Sequence, residues 1–428
     1  MSKKSIIVSC PVDTYSGYGA RSRDFVKALI ELEDYDVKIL GQRWGNCRFG
    51  YLSDHKEEDL ISRMVPNITT QPDIWIQCTV PNEFQKVGKF NIGLTAGIET
   101  TACHQGWLEG CNRMDLLLVS SEHAKEVFEK TKYDLKNNQT GQMQGVIECK
   151  TPIEVLFEGG DVTKYLPRKY DNRGSVTREL NKIKESFCFI NVGHWMKGDY
   201  GHDRKNIGYT IKSFLETFKN KKNPPALILK VHQVGTSIMD REEVLRRINH
   251  LREQVRGTLP NIYLFHGEIS DDEMNEFFNH PKVKAMVSHT KGEGFGRPLL
   301  EFSLVNKPII ASGWSGHIDF LDKDFSILLG GKLESVHPSA HVKDMILPNS
   351  AWFTPNDAQV GHAYKEVFKN YKKYQTAAKR LGYKIRKDFS WEAMVVKISE
   401  IFTEKLPEFP SQVELTLPKL ELPKLEKL

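Results

Sequence analysis

Residues 291–301 read KGEGFGRPLLE. Two carboxylates, Glu293 and Glu301, stand eight positions apart around a turn that holds Gly294, Gly296 and Pro298. Glycine lets backbone come close to a ligand, and proline suits the first position of a helix. A helix start offers unpaired N–H groups and the positive end of its dipole to a phosphate. Carboxylates repel phosphate, so these two would take hydroxyls instead. The plain alternative is a helix begun by ordinary acids. Cations supply context. NVGHWMKGDYGHDRKN (191–206) places Lys197, Arg204 and Lys205 in one loop, and Lys230 ends the run ALILK. Ammonium and guanidinium groups that meet at the mouth of a sheet can neutralise a diphosphate. The alternative there is a solvated loop with incidental charges.

The elements that must position these groups are short apolar runs alternating with helical patterns. SIIVSCPV (5–12), YDVKIL (35–40), DIWIQC (73–78), FNIGLTAG (90–97), MDLLLVSS (114–121) and IEVLFEGG (153–160) read as strands apolar on both faces. Such strands belong in a parallel sheet covered by helices on each side. The polar stretch DNRGSVTRELNKIKE (171–185) reads as a surface segment between two halves. A second series follows: FCFINVGHW (187–195), ALILKVHQ (226–233), NIYLFHG (261–267), VKAMVSH (283–289), KPIIASG (307–313) and FSILLGG (325–331). The expected architecture is α/β, with two doubly wound Rossmann-like domains facing a central cleft. In such sheets ligands sit beyond the carboxyl ends of the strands. Residues 358–405 read as helices, and the last stretch, with its LPKLE repeat and prolines, as an extended tail.

The chain has 428 residues and a net charge of +5, which weakly favours an anionic ligand. Seven dispersed cysteines without a CxxC fit reduced thiols and a cytoplasmic setting better than a disulfide framework. No stretch reaches the roughly 18 apolar residues of a membrane span, and the amino terminus shows no signal pattern.

The run FINVGHW…DRKNIGYTIKSFLETF, then LILKVH, LFHGEISDDEMNEFF and VSHTKGEGFGRPLLEFSLVNKPIIASGWSGHIDFL, resembles the carboxyl half of retaining GT-B glycosyltransferases of the family-four type. The amino half agrees: SGYGARSRDF (16–25), GIETTACHQGWLEGCNRMDLLLVSSEHAKEVF (97–128) and VLFEGGDVTKYLP (155–167) are similar to that family's glycine loop, its central segment and its hinge. FSWEAM (389–394) resembles its terminal crossing helix. The resemblance implies domains at 1–165 (acceptor side) and 166–387 (donor side), a crossing helix at 388–405 and a tail at 406–428. It implies a retaining hexosyltransferase whose co-substrate is a nucleotide sugar, with uridine diphosphate glucose ahead of guanosine diphosphate mannose, and no further cofactor.

By the same resemblance, Arg204 and Lys205 would hold the donor diphosphate with the backbone of Gly294, Phe295 and Gly296, and Lys230 would add charge. Glu301 would bind ribose and Glu293 would face the transferred sugar. Gly17 and Gly19 would let the first loop close over the phosphates, and the base would lie near Gly267 and Ile269. Relatives place a histidine in the amino half near the reacting sugar. Here that loop offers Glu99 and Thr100, with His104 further on, so Glu99 is the candidate. Asp115 is read as the anchor of a turn or ion pair. No DxD element ends a strand at the cleft, which predicts metal independence.

The acceptor is open between a glycan or lipid-linked saccharide and a modified DNA base. The basic, tyrosine-bearing segment 365–387 would meet a membrane surface or nucleic acid, or else is a solvated helix face. WGNCRFGYL (44–52) would form an acceptor wall, or else is packing. The rival readings are an epimerase or a pyridoxal-dependent phosphorylase of the same architecture, or a non-catalytic module that binds sugar nucleotides.

Overall fold

The computed structural model describes residues 3–137, 140–198, 200–233 and 235–409. The amino half holds strands β1 (Lys4–Cys10), β2 (Tyr35–Gly41), β3 (Ile74–Cys78), β4 (Phe90–Thr95), β5 (Leu116–Val119), β6 (Tyr133–Lys136), β7 (Met143–Ile147) and β8 (Ile153–Val155). Six of them form a parallel sheet in the order β2-β1-β3-β4-β5-β8, and β6–β7 is a separate antiparallel hairpin. The carboxyl half holds β9 (Cys188–His194), β10 (Ala226–His232), β11 (Ile262–Leu264), β12 (Val283–Ser288), β13 (Ile309–Ser312) and β14 (Ile327–Leu329). These form a second six-stranded sheet, β11-β10-β9-β12-β13-β14, all parallel. The antiparallel pair β15 (Gly331–Ser335) and β16 (Ala351–Pro355) lies outside both sheets.

Two doubly wound sheets are therefore present, as the alternation of apolar runs predicts. Burial explains the continuous runs: every residue of β3 and of β5 is buried, because helices cover both faces. Local caps fix where helices begin. Ser16 accepts from Gly19 N at 2.9 Å to start the helix Gly17–Glu31. Ser270 and Glu273 form a reciprocal capping box for Asp271–Asn279.

Three elements differ from the sequence reading. Ser175–Asn181, expected as a polar surface stretch, is a helix that buries Val176, Thr177 and Leu180 against Asp271–Asn279. Its four-residue apolar spacing was outweighed by the surrounding charge. The hairpins β6–β7 and β15–β16 were not anticipated. The first leaves Leu135, Met143 and Val146 exposed, so it shows no clean alternation. The segment 365–387 spans the end of Asp357–Lys369 and most of Tyr371–Asp388. The latter buries Ala378, Leu381 and Ile385 and leaves Tyr383 at 72% exposure. Residues 410–428 of the expected tail lie outside the described residues.

The last helix, Trp391–Lys405, packs on Gly17–Glu31 in the amino half, where Met394, Ile398 and Phe402 join its core. Ile398 is fully buried, so Ile398→Ala should lower unfolding free energy by about 2–5 kcal/mol, whereas Val396→Ala, 57% exposed, should change it by less than about 0.5 kcal/mol. Denaturant titration of both variants checks this.

Candidate functional site

The loops after β9 and β12 meet at a buried carboxylate. Lys205 Nζ donates to both oxygens of Glu293 at 2.7 and 2.8 Å, and Arg204 Nη1 lies 3.2 Å from Oε2. Arg204 also donates to Gly292 O at 3.0 Å. The Glu293 side chain is only 7% exposed. Burial alone would push this carboxyl up, but Lys205 and Arg204 outweigh it and hold it down at about 2. Glu99 from the other half stands 3.8 Å from Arg204.

Backbone and buried polar groups align the two loops. Asn206 takes a left-handed conformation (φ 55°) and donates through Nδ2 to His289 O at 3.0 Å. Lys291 N donates to Arg204 O at 2.8 Å, and Glu293 N to Ser315 Oγ at 2.9 Å. Asp203 caps the next helix by accepting from Ile207 N at 3.2 Å. The polar spacing DRKN thus has a local meaning: the outer two residues fix the turn that aims the inner two.

The amino half closes directly on this cluster. A Cβ on Gly292 would come within 1.9 Å of Glu99 O, and one on Gly294 within 2.2 Å of Ala96 O. Ser120 and Ser121 both donate through Oγ to Gly294 O, at 3.1 and 2.6 Å. The start of β16 adds a further contact, with Thr101 and Ala351 exchanging two hydrogen bonds of 2.9 Å.

Beside the cluster, a cavity of about 1070 Å³ opens between the halves. Its volume is at the upper end of the range for ligand sites, roughly 300–1,000 Å³. Gly17, Trp44 and Arg48 line one wall; His194, Lys230, His232, Gly267–Asp272 and Met274 line the other. Lys230 Nζ donates to Gly267 O at 2.6 Å. Lys205 packs on Gly193, one residue before His194, so the cavity and the charge cluster adjoin. Arg48 crosses to Glu268 at 2.8 Å. Trp44 stacks on Tyr18 with centroids 4.0 Å apart.

The residues expected at the site therefore separate into groups. Arg204, Lys205, Glu293 and Glu99 come together. Gly17, Lys230, Gly267 and Ile269 line the cavity. Glu301 stands apart, with Oε1 2.9 Å from Arg297 Nε. Burial pushes its carboxyl up to about 7, Arg297 opposes the rise and Asp271 adds to it. Three glycines need their lack of a side chain for reasons within the protein. Gly19 packs on Thr14 O, Gly294 on Ala96 O, and Gly296 turns the chain at φ 101° against His317. The close approach read from GEGFG is thus to backbone and to His317. Phe295 is buried against Phe320. The wall 44–52 faces Gly267–Met274, the end expected to hold the base, rather than the Glu99 side. Asp115 anchors β4 by accepting from Asn91 N and Nδ2 at 2.8 and 2.9 Å. Sequence reading missed Arg297, Arg48, His194 and His232. The two histidines end adjacent strands in register, which strand position alone would have revealed.

Among the described residues no cluster of three or more His, Cys, Asp or Glu side chains is arranged to hold a metal ion, and no helix is long and apolar enough to cross a membrane.

The two glutamates give pH-dependent stability of opposite sign. For Glu293 the folded pKa is depressed, so its contribution is complete above the unfolded value, ~4.3, and is lost as pH falls through about 2. For Glu301 the folded pKa is raised, so ionisation costs stability as pH climbs from ~4.3 to about 7. Glu301→Gln should flatten the loss between those limits, and Glu293→Gln should flatten the gain between pH ~2 and ~4.3. Urea midpoints measured across pH 2–8 check both signs.

No family model and no curated protein sequence matches the chain. Solved structures do. A glycosyltransferase from Rickettsia africae superposes with a TM-score of 0.64 at 12% identity, covering 95% of this chain and 99% of its own. The sucrose-phosphate synthase of Thermosynechococcus elongatus gives 0.59 at 11%, over 94% and 99%. Anabaena Alr3699/HepE in complex with UDP-glucose gives 0.59 at 12%, over 93% and 99%. Likeness at such low identity speaks for architecture, and the architecture these structures share with this chain is the GT-B fold: two Rossmann-like halves around a cleft.

Proposed function

We propose that this protein is a metal-independent glycosyltransferase that moves a hexosyl group from a uridine diphosphate sugar to an acceptor hydroxyl with retention. The observation that carries the reading is the buried Arg204–Lys205–Glu293 cluster adjoining an interdomain cavity of nucleotide-sugar size. Structural likeness to a protein solved with UDP-glucose supports the choice of donor.

In this reading the nucleoside lies along Gly267–Ile269 and Glu301, and the diphosphate meets Arg204 and Lys205, with Lys230 at its edge. As the glycosidic bond to the phosphate breaks, negative charge grows on the leaving diphosphate. Cations already fixed in a dry site stabilise that charge without reorganising. Glu293 remains ionised at neutral pH, so it accepts hydrogen bonds from sugar hydroxyls and orients the ring. Retention is assigned to attack from the face of departure, with the leaving phosphate taking the acceptor's proton. Glu99, beside Arg204, stands at the acceptor side of the same cluster. The contact between residues 96–99 and 292–294 excludes water during transfer.

A thermal-shift series with UDP, UDP-glucose, GDP and GDP-mannose should single out the uridine pair, and UDP release from UDP-glucose should follow. Arg204→Gln and Lys205→Gln each remove a charge while keeping hydrogen-bonding capacity, which limits the penalty of leaving Glu293 unpaired. Each should slow UDP release by about 10²–10³-fold. Wild-type rates in a variant that keeps its fold would rule the assignment out.

A further inference from the structure

Arg297 touches both halves of the molecule. Its Nη1 lies 2.5 Å from Asp24 Oδ2 on the helix Gly17–Glu31 and 3.8 Å from Glu158 Oε2 on the segment joining the halves. Its Nε lies 2.9 Å from Glu301 Oε1. These are mostly buried charges: the Glu158 and Glu301 side chains are 10% and 13% exposed. Asp24 sits on a firm support. Arg21, on the same helix and 1% exposed, donates to Phe157 O at 2.8 Å and also to Leu156 O. Helix and joining segment are therefore pinned to each other by a buried guanidinium.

We propose that Arg297 is a positioning residue that couples what Glu301 binds to how the two halves are held together. The proposal rests on the nucleotide-sugar reading, in which Glu301 takes the ribose hydroxyls. A guanidinium is a rigid fork with five donors, so one group can serve Asp24, Glu158 and Glu301 together; a lysine ammonium is a point charge and lacks that geometry. Arg297 and Arg21, which also faces Glu158, bring two positive charges to three carboxylates, which leaves an excess of negative charge. Hydroxyls that donate to Glu301 relieve part of that excess and release more of the guanidinium to Asp24 and Glu158. The carboxyl half is then drawn more firmly onto the amino half. Coupling is reciprocal: the contact to Asp24 fixes Arg297, and Arg297 fixes the carboxylate that the ribose meets.

The test is a double-mutant cycle on the full chain, with UDP binding read by calorimetry. The variants are Asp24→Asn, Glu301→Gln and their combination, with Arg297→Lys as an independent break of the fork and melting temperatures as a check of folding. Asp24→Asn should weaken UDP binding about 5–10-fold in the wild-type background and cause no further loss beside Glu301→Gln. Arg297→Lys should weaken it to a similar extent. Additive losses, or wild-type affinity in both Asp24→Asn and Arg297→Lys, would overturn the coupling and leave the donor reading intact. Wild-type affinity in Glu301→Gln would overturn both the ribose contact and the proposal, and a wild-type protein that ignores UDP and UDP-glucose would overturn the donor reading beneath them.

Discussion

Glu293 is held out of water between two cations, and much of the carboxyl half is arranged so that it can be. Moving an ion into a protein interior costs several kcal/mol, and a partner offsets that only with good geometry and every remaining donor satisfied. Lys205 meets both carboxylate oxygens, and Arg204 also donates to Gly292 O and Met196 Sδ. Both cations come from one loop and the carboxylate from another, so the loops after β9 and β12 must keep a fixed register. The bonds Asn206–His289, Lys291–Arg204 and Glu293–Ser315 enforce it. A site built this way already holds, against an internal anion, the positive charge that the proposed donor diphosphate would use.

The same constraint shapes how the halves meet. Residues 292–294 can lie against Glu99 and Ala96 only because Gly292 and Gly294 lack side chains. Ser120 and Ser121 then donate to Gly294 O, and Ser120 also to Ala96 O, at this contact. The chain passes between the halves twice, at 156–160 and at 389–391. There Gly160 N donates to Phe389 O and Trp391 N to Gly160 O, at 2.8 and 2.9 Å. Any relative motion must flex these paired crossings. Polar contacts across the cleft, beside those at Gly292 and Gly294, include Arg48–Glu268, Arg297–Asp24, Glu122–Asp319 and Thr101–Ala351. Short polar contacts across a cleft with two crossings suit a closure that ligand binding can bias.

Much of this was legible in the residues, and the reason differs from case to case. The twelve sheet strands showed as short apolar runs, uninterrupted where burial on both faces demands it, as in β3 and β5. The union of Arg204, Lys205 and Glu293 was legible because a parallel α/β sheet brings loops from the carboxyl ends of neighbouring strands together whatever their separation in sequence. Arg297 was not, since its partners Asp24 and Glu158 lie on other elements and charge on a helix usually means a solvated face. The hairpin β15–β16 was hidden because its core, Val336, Ile346 and Trp352, comes from irregular positions. The glycines of GEGFG were visible as a demand for space, but no spacing rule says whether a ligand, a carbonyl or His317 fills it.

Two glutamates from one eleven-residue stretch end in opposite electrostatic states, and their surroundings explain why. Both are buried, so both begin with a penalty on the ionised form. Glu293 faces two cations that have no other carboxylate as near, and it stays charged at any physiological pH. Glu301 shares one guanidinium with Asp24 and Glu158 and feels Asp271 as well, so its charge is incompletely matched. A group whose ionisation is fully matched makes a permanent acceptor, suited to orienting hydroxyls through a reaction. A group whose ionisation is poised near neutrality responds to small changes in its neighbours. Nine residues of one turn and helix thus set a fixed charge beside the proposed chemistry and a responsive one at the joint between the halves.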